Sequence, residues 1–299
     1  MIVIRRILLP CDFSEFSRRA LDHALTLVGW YKAELTAIHV LPPPLPSADF
    51  LPQPLYEPAL REQVLTELRR FLKPAESAGI PVRSTILEGD PVAQIVEQAR
   101  HLPADLVIMG THGRSGPRRW VLGSVTEKVL RTSPCPVLTV GGSAEGPVLP
   151  AALKRVLCPI DFSESSMNAL QHALSIVRHG EGHLTALHVI EGYPEPLDLF
   201  TFNAGELVRQ LEQAAREQLR RVVPEEARRP GKLEEIVTPG KPWLEILRVA
   251  REQATELIVI GVHGRNPAHV MLFGSTTHHV VRESTCPVLI VRARPEEDA

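Results

Sequence analysis

The sequence predicts an α/β protein made of two tandem, doubly wound domains, and three observations carry this prediction. The chain has 299 residues, a length that suits about two ordinary domains. Its second half repeats its first: "RRILLPCDFSEFSRRALDHALTLV" from Arg5 aligns with "KRVLCPIDFSESSMNALQHALSIV" from Lys154. In each half, short apolar or β-branched runs alternate with amphipathic stretches, which is the pattern of strands that alternate with helices.

Within the first half, strand and helix patterns follow one another in alternation. "RILLP" from Arg6 is a short apolar strand, and Leu21, Ala24, Leu25 and Val28 then recur at the spacing of one helix face. The later segments are strand "ELTAIHV", helix "LREQVLTELRRFL", strand "VRSTIL", helix "PVAQIVEQARH" opened by Pro91, strand "DLVIMG", a helix that begins near Ser124, and strand "PVLTV". Because parallel neighbours need right-handed crossovers, five strands separated by helices predict a parallel sheet with helices on both faces.

The boundary between the domains is predicted from composition. "GGSAEGPVLPA" from Gly141 is rich in glycine, proline and small residues and has no periodicity, which is typical of a linker. The sequence therefore predicts a first domain over residues 1–142, a linker over 143–152, a second domain over 153–295 and a tail over 296–299.

Composition and charge exclude several classes of partner. The formal net charge is −2, so the chain offers no broad basic field to nucleic acid or to an anionic membrane. No apolar stretch is long enough to span a bilayer, and Arg5 and Arg6 interrupt the apolar N-terminus. The four cysteines are far apart, which favours reduced thiols. We expect a cytoplasmic protein with no nucleic-acid or membrane partner.

A glycine motif occurs once in each half, as "GTHGRSGPRRWVLGS" from Gly110 and "GVHGRNPAHVMLFGS" from Gly261. Gly110 and Gly113 lack Cβ atoms, so the loop can take positive φ and admit a ligand close to its backbone. Gly123 and Ser124 lie where the next helix begins, and a helix start offers unpaired N–H groups and a positive dipole end to a phosphate. The alternative is a turn at Gly123 with Ser124 as an N-cap, because Glu127 follows at the spacing of a capping box.

Aspartates follow the first strand of each half. Asp12 and Asp161 lie just past a strand end, where ligands bind in parallel sheets. Each is also followed by a glutamate at the third position, "DFSE", so a helix N-cap is the alternative role. His39 and His188 have no nucleophile motif beside them, which favours a structural role over a general base.

With a "PCDFS" or "PIDFS" loop followed by G-x-x-G, nine residues and G-S, each half resembles the universal stress protein family. The resemblance implies the strand order 3-2-1-4-5 and, as in the nucleotide-binding members, an ATP site accompanied by Mg²⁺ or Mn²⁺. It implies that Asp12 and Val40 hold the adenosine, and that the phosphates are held by Gly110, Gly113, Gly123, Ser124 and Val125. Arg114 makes the same loop cationic and is a further candidate for nucleotide binding. The matching positions in the second half are Asp161, Val189, Gly261, Gly264, Gly274 and Ser275.

The two copies differ, and the differences leave alternatives open. "GRNP" in the second half places Pro267 where the first half has Gly116, and Thr276 replaces Val125, so we expect nucleotide in the first half before the second. The resemblance favours a stress-response sensor or regulator; the alternatives are an interaction or scaffold module that needs no nucleotide, or a weak ATP hydrolase. No residue is predicted to be catalytic. The last strands, "CPVLTV" and "CPVLIV", predict edge pairing, either within the chain as a pseudo-dimer or between two chains as a homodimer.

Overall fold

A computed structural model describes residues 2–42, 58–112, 122–141, 153–191, 204–228, 232–262 and 274–292. The chain divides into two compact units. One unit is Val3–Ala151, and the other is Ala152–Ala299 together with Met1–Ile2. We call them the first half and the second half.

The first half is a parallel sheet with helices on both faces, as the sequence predicts. Its strands stand in the order β3-β2-β1-β4-β5, and all of the pairs are parallel. The elements in chain order are β1 (Arg6–Pro10), α1 (Glu15–Tyr31), β2 (Glu34–Leu41), α2 (Pro58–Ser77), β3 (Val82–Glu88), α3 (Pro91–His101), β4 (Leu106–Gly110), α4 (Ser124–Thr132) and β5 (Val137–Val140).

The second half repeats this arrangement. Its strands stand in the order β8-β7-β6-β9-β10, again in parallel pairs. The elements are β6 (Arg155–Pro159), α5 (Glu164–Gly180), β7 (His183–Ile190), α6 (Ala204–Val222), a 3₁₀ turn (Glu225–Ala227), β8 (Leu233–Pro239), α7 (Pro242–Glu252), β9 (Leu257–Gly261), α8 (Ser275–Glu283) and β10 (Val288–Val291). The predicted fold class and the order 3-2-1-4-5 are confirmed in each half.

The burial of the strands fits their positions in each sheet. All five residues of β4 and all five of β9 are buried, because a strand that is covered on both faces has no polar side to present to water. Leu8 and Ile108 are fully buried. The edge strand β3 is different, since three of its seven positions are exposed. Within the described parts of the chain, no helix combines the length and the apolar run needed to cross a membrane.

A half-buried histidine on α1, whose Nδ1 atom is buried, is expected to make the stability of the first half depend on pH. Burial lowers the pKa of His23 from 6.5 to about 4, and its Nδ1 has no hydrogen-bond partner among the described residues. The folded pKa lies below the unfolded one, so the unfolded state takes up the proton first as the pH falls from about 6.5 towards about 4. His23 therefore does not change the free energy of unfolding above that pH window, and it lowers the free energy of unfolding within the window.

We therefore expect that a change from about pH 7.5 to about pH 5 lowers the free energy of unfolding by about 1 to 2 kcal/mol through His23. Urea unfolding at both pH values measures this loss. His23→Leu is the comparison, because it removes the titrating group and should remove that part of the pH dependence. An identical pH dependence in the variant would contradict the assignment to His23.

Candidate functional site

The predicted site residues that the structure describes lie at the carboxyl edge of each sheet. Asp12 lies two residues after the end of β1, Val40 lies one residue before the end of β2, and Gly110 ends β4. In this strand order, β1 stands between β2 and β4, and ligands of such sheets bind where the order reverses. The described strand ends of each half therefore bring these residues to one edge of the sheet. Gly113, Arg114 and Gly264 lie outside the described residues.

Asp12 does not cap α1, which corrects one of the two predicted roles. The N-cap is Ser14, whose side chain accepts from the Ser17 N–H. Asp12 stabilises this capped turn, because its Oδ1 accepts from the Ser14 N–H at 3.0 Å and from the Ser17 hydroxyl at 2.5 Å. Aspartate and serine are both strong caps, and the chain uses the one closer to the helix.

The second half builds the same turn with a different hydroxyl. Ser163 caps α5 by accepting from the Ser166 N–H. Its hydroxyl donates to Asp161 Oδ1 at 2.6 Å, and its N–H donates to the same oxygen at 3.0 Å. Both aspartates are thus held in one orientation at the crevice by short bonds from the turn that follows.

The phenylalanine after each aspartate takes a left-handed backbone conformation. Phe13 has φ +64° and Phe162 has φ +66°, a conformation that costs a bulky residue about 1 to 2 kcal/mol. Such a residue persists only when its surroundings fix it. In the first half, the Phe13 ring stacks on His39 with ring centroids 4.4 Å apart.

His39 holds this turn against the sheet, as its predicted structural role requires. Its Nδ1 lies 2.7 Å from the Cys11 carbonyl oxygen, and because a carbonyl only accepts, Nδ1 carries the proton and donates. His188 makes the same bond to the Ile160 carbonyl at 2.7 Å. Burial raises the pKa of the Cys11 thiol far above its ordinary value, so this cysteine is an inert part of the turn.

Gly110 and Gly261 have a packing role that the sequence argument missed. Neither has a positive φ, which corrects the expectation that Gly110 takes a left-handed backbone. A Cβ added to Gly110 would lie 2.7 Å from Phe16 Cβ. One added to Gly261 would lie 2.8 Å from two backbone atoms, Ser165 C and Ser166 N. These glycines let the first turn of α1 or α5 pass close to the strand end.

Helices α4 and α8 begin without a side-chain cap. Their N-cap residues are Gly123 and Gly274, and neither start has a side-chain hydrogen bond. Ser124 is therefore the first helical residue and not the cap, so the capping-box alternative is wrong. The first intrahelical bond runs from the Glu127 N–H to the Gly123 carbonyl at 2.9 Å. Helix geometry then leaves the earlier N–H groups without an intrahelical partner.

A threonine fixes each of these helix starts to the end of the neighbouring strand. Thr126 Oγ1 donates to the Gly110 carbonyl at 2.8 Å, and Thr277 Oγ1 donates to the Gly261 carbonyl at 2.8 Å. Both threonines are buried. Neither threonine is among the predicted site residues, although a hydroxyl two residues after G-S in both halves is a repeated signal.

His112 adds a polar atom that has no partner beside this helix start. Its Nδ1 pairs with the Thr111 hydroxyl at 2.9 Å, while Nε2 is buried and has no hydrogen-bond partner among the described residues. A Cβ on Gly123 would lie 3.0 Å from the Thr111 carbonyl and 3.7 Å from His112 Cα. The backbone is therefore closely packed on one side of the helix start. In the described ranges, no three metal-ligating side chains come together.

Comparison with known proteins gives the same two units. The model of the universal stress protein family matches residues 4–141 and 152–292. The chain is 36% identical over 142 residues to universal stress protein MJ0531 of Methanocaldococcus jannaschii, a match that covers 46% of this chain and 81% of that protein. It is 28% identical over 304 residues to a universal stress protein of Mycolicibacterium smegmatis, covering 96% and 97% of the two chains.

A solved structure extends the similarity to the fold of the whole chain. The crystal structure of a universal stress protein from Archaeoglobus fulgidus matches with a TM-score of 0.70 and 25% identity, covering 97% of this chain and 98% of that one. The longer matches include both halves, so these relatives share the tandem arrangement.

Proposed function

Because the chain belongs to the universal stress protein family, we propose that it binds ATP at the carboxyl edge of each half and acts as a sensor or regulator in the stress response. One observation carries the proposal: an uncapped helix start, at Gly123 and again at Gly274, beside the end of the central strand. A row of unpaired N–H groups at a positive dipole end is the arrangement that binds phosphate.

In the first half, the N–H groups of Ser124 and Val125 and the Ser124 hydroxyl would hold the phosphates. The buried Nε2 of His112 is a further polar group beside them. Glu127, in the first turn of α4, opposes an anion, but it is paired with Arg131 at 2.8 Å. Bound there, ATP would place its phosphoanhydride bonds at the helix start, where the protein could sense whether they are intact or cleaved.

The adenosine would lie over the ends of β1 and β2. Asp12 presents a carboxylate whose Oδ1 is fixed by two bonds, and a carboxylate accepts from the amino or hydroxyl donors of a nucleoside. Val40 is half-buried at the end of β2 and offers an apolar contact. A Mg²⁺ or Mn²⁺ ion would be held mainly by the phosphates and water, which fits the described residues, where no three metal-ligating side chains come together.

The second half keeps the parts that matter for this proposal. Gly274 starts α8 as Gly123 starts α4, and α8 has no acidic residue in its first turn because His278 stands where α4 has Glu127. The Thr277 bond to the strand end is also kept. We therefore expect two equivalents of ATP per chain.

Ser124→Pro and Ser275→Pro test the proposal with little disturbance of the fold. Proline is accepted at the first helical position, where its missing N–H has no intrahelical partner. Gly123 and Gly274 have ψ of 137° and 142°, which suits the residue before a proline. Each substitution removes one N–H and one hydroxyl from the proposed phosphate site, so we expect about tenfold weaker ATP binding in its own half.

Calorimetric titration of ATP into the full chain and the two variants measures this effect. Ser124→Ala is the matched control: it removes the hydroxyl and keeps the N–H, so most of the affinity should remain. Loss of one equivalent with each proline supports a tandem nucleotide sensor. If wild type binds one equivalent, and only Ser124→Pro weakens it, the second half serves as a scaffold. No saturable binding by wild type overturns the proposal.

A further inference from the structure

A groove opens at the amino end of the first sheet, away from the proposed ATP site. Its volume is about 490 Å³, within the usual range for small-molecule sites. The starts of β1, β2 and β3 and the turn after α3 form it, and the polar groups that line it are Arg5, Arg6, Glu34, Thr36, Arg83 and His101. We call it the amino-end groove.

The strand register brings the key side chains of the groove together on one face. Arg6 stands opposite Glu34, and Thr36 stands between Leu8 on one side and Arg83 on the other. Side chains two residues apart on a strand share a face, so Arg6 and Leu8 face the same way. The groove therefore has a buried apolar floor at Leu8 and polar groups along its sides.

The groove carries more positive than negative charge. Arg5, Arg6 and Arg83 supply three guanidinium groups, and Glu34 supplies one lining carboxylate. Glu34 pairs with Arg83 at 3.4 Å, with side chains 62% and 74% exposed, and such exposed pairs contribute little to stability. The side chains of Arg5 and Arg6 have no hydrogen-bond or ion-pair partner among the described residues.

In the second half, an ion pair neutralises the arginine that corresponds to Arg6. Glu256 accepts from the backbone N–H groups of Lys154 and Arg155 with one oxygen, and with the other it pairs with the Arg155 guanidinium at 2.8 Å. The first half has Asp105 at this position. Both of its bonds, 2.7 and 2.8 Å, go to the backbone N–H groups of Arg5 and Arg6. Aspartate is one methylene shorter, so the Arg6 guanidinium stays available.

A second replacement also opens the groove in the first half. In the second half, the Thr185 hydroxyl donates to Gln253 at 2.5 Å, and Gln253 donates to Glu234 at 2.8 Å. This bonded chain lies across the sheet face. The matching residues of the first half are Thr36, Leu102 and Arg83, which cannot form that chain, and the Thr36 hydroxyl has no partner among the described residues.

We propose that the amino-end groove binds a small phosphorylated anion of the diphosphate or triphosphate class. Guanidinium groups match phosphate oxygens with paired, charge-assisted hydrogen bonds. Arg6 and Arg83 face the anion from two strands, the Thr36 hydroxyl donates between them, and Arg5 and His101 lie at the rim. The second half lacks this site because its arginine is paired and its threonine is bonded.

Inorganic tripolyphosphate is the probe, titrated into the full chain by calorimetry. Arg6→Ala combined with Arg83→Ala removes two exposed side chains, so the fold should be kept, and we expect the affinity of one equivalent to fall by about tenfold or more. Arg155→Ala is the matched control from the second half and should leave the isotherm unchanged. The proposal is overturned if the double variant binds as wild type does, or if Arg155→Ala weakens binding equally.

Asp105→Glu tests the mechanism without changing the net charge. The longer side chain can reach the Arg6 guanidinium as Glu256 reaches Arg155, so we expect tripolyphosphate to bind about threefold to tenfold more weakly. ATP binding at the carboxyl edge should not change. Unchanged tripolyphosphate affinity in this variant would mean that Arg6 is not a ligand of the anion.

Discussion

Gly261→Ala is expected to destabilise the second half by about 3 kcal/mol, because the new methyl group has no room. It would lie 2.8 Å from Ser165 C and from Ser166 N, which are backbone atoms in the first turn of α5. A side chain can rotate away from such a contact, but a capped helix start cannot move without breaking its bonds. Urea unfolding followed by far-UV circular dichroism measures the loss.

Substitutions at two further glycines serve as comparisons for this experiment. At Gly110, one atom would lie within 3.0 Å of the new methyl group, Phe16 Cβ at 2.7 Å, and the nearest backbone atom lies at 3.1 Å. Because Gly261 has more of these close contacts, Gly110→Ala should cost less than Gly261→Ala. Gly29 lies in α1, and a Cβ there would meet nothing within 4 Å. Gly29→Ala should therefore stabilise the first half by about 0.5 kcal/mol. A Gly261→Ala protein as stable as wild type would show that the helix start adapts.

This packing role changes how the glycine motif is interpreted. The first glycine of G-x-x-G was expected to leave room for a ligand, but in the structure the first turn of a helix packs against it. The later glycine, Gly123, keeps the expected relation to a ligand, because it starts α4 with no side-chain cap. A recurrent glycine motif in this fold thus combines a requirement of the core with a requirement of the proposed site.

The sequence predicted the elements well because their signals are local. Apolar periodicity and Pro91 located the helices and strands, and the resemblance supplied the strand order. The caps were harder, since "DFSE" contains two residues that both cap helices well, and the choice of Ser14 over Asp12 depends on where the helix begins. Spacing alone does not fix that starting residue.

Contacts between distant segments could not be predicted. The bond from Thr126 to the Gly110 carbonyl joins residues 16 positions apart, and the bond from His39 to the Cys11 carbonyl joins residues 28 positions apart. The amino-end groove could not be predicted from the sequence either, because it depends on an Arg6 guanidinium that has no ion pair among the described residues. A single methylene between Asp105 and Glu256 decides whether an arginine is paired, and composition does not show it.

His39→Ala is expected to lower both the stability of the first half and its affinity for ATP, although no ATP contact is proposed for this side chain. It is only 9% exposed, donates to the Cys11 carbonyl at 2.7 Å and stacks on Phe13 at 4.4 Å. The truncation leaves a cavity and a buried carbonyl without its donor, which together should cost about 3 kcal/mol.

The effect on ATP follows from the turn that His39 holds. We expect Phe13 to keep its left-handed conformation, at φ +64°, only while its ring is packed, and Asp12 precedes it directly. Without His39 the turn can relax, so ordering Asp12 becomes part of the cost of binding, and we expect about tenfold weaker ATP binding in the first half. Calorimetric titration and urea unfolding of the same protein sample measure both effects.

Two variants separate positioning from simple destabilisation. His188→Ala removes the matching bond to the Ile160 carbonyl and should act on the second equivalent of ATP while sparing the first. Phe71→Ala removes a buried ring on α2 whose centroid lies 5.8 Å from that of Phe13 and should cost about 3 to 5 kcal/mol. Because it leaves the His39 bond in place, it should weaken ATP binding less than His39→Ala does. If Phe71→Ala and His39→Ala weaken ATP binding equally, His39 acts through stability alone. If only His39→Ala weakens it, the orientation of the β1 to α1 turn is part of the ATP site.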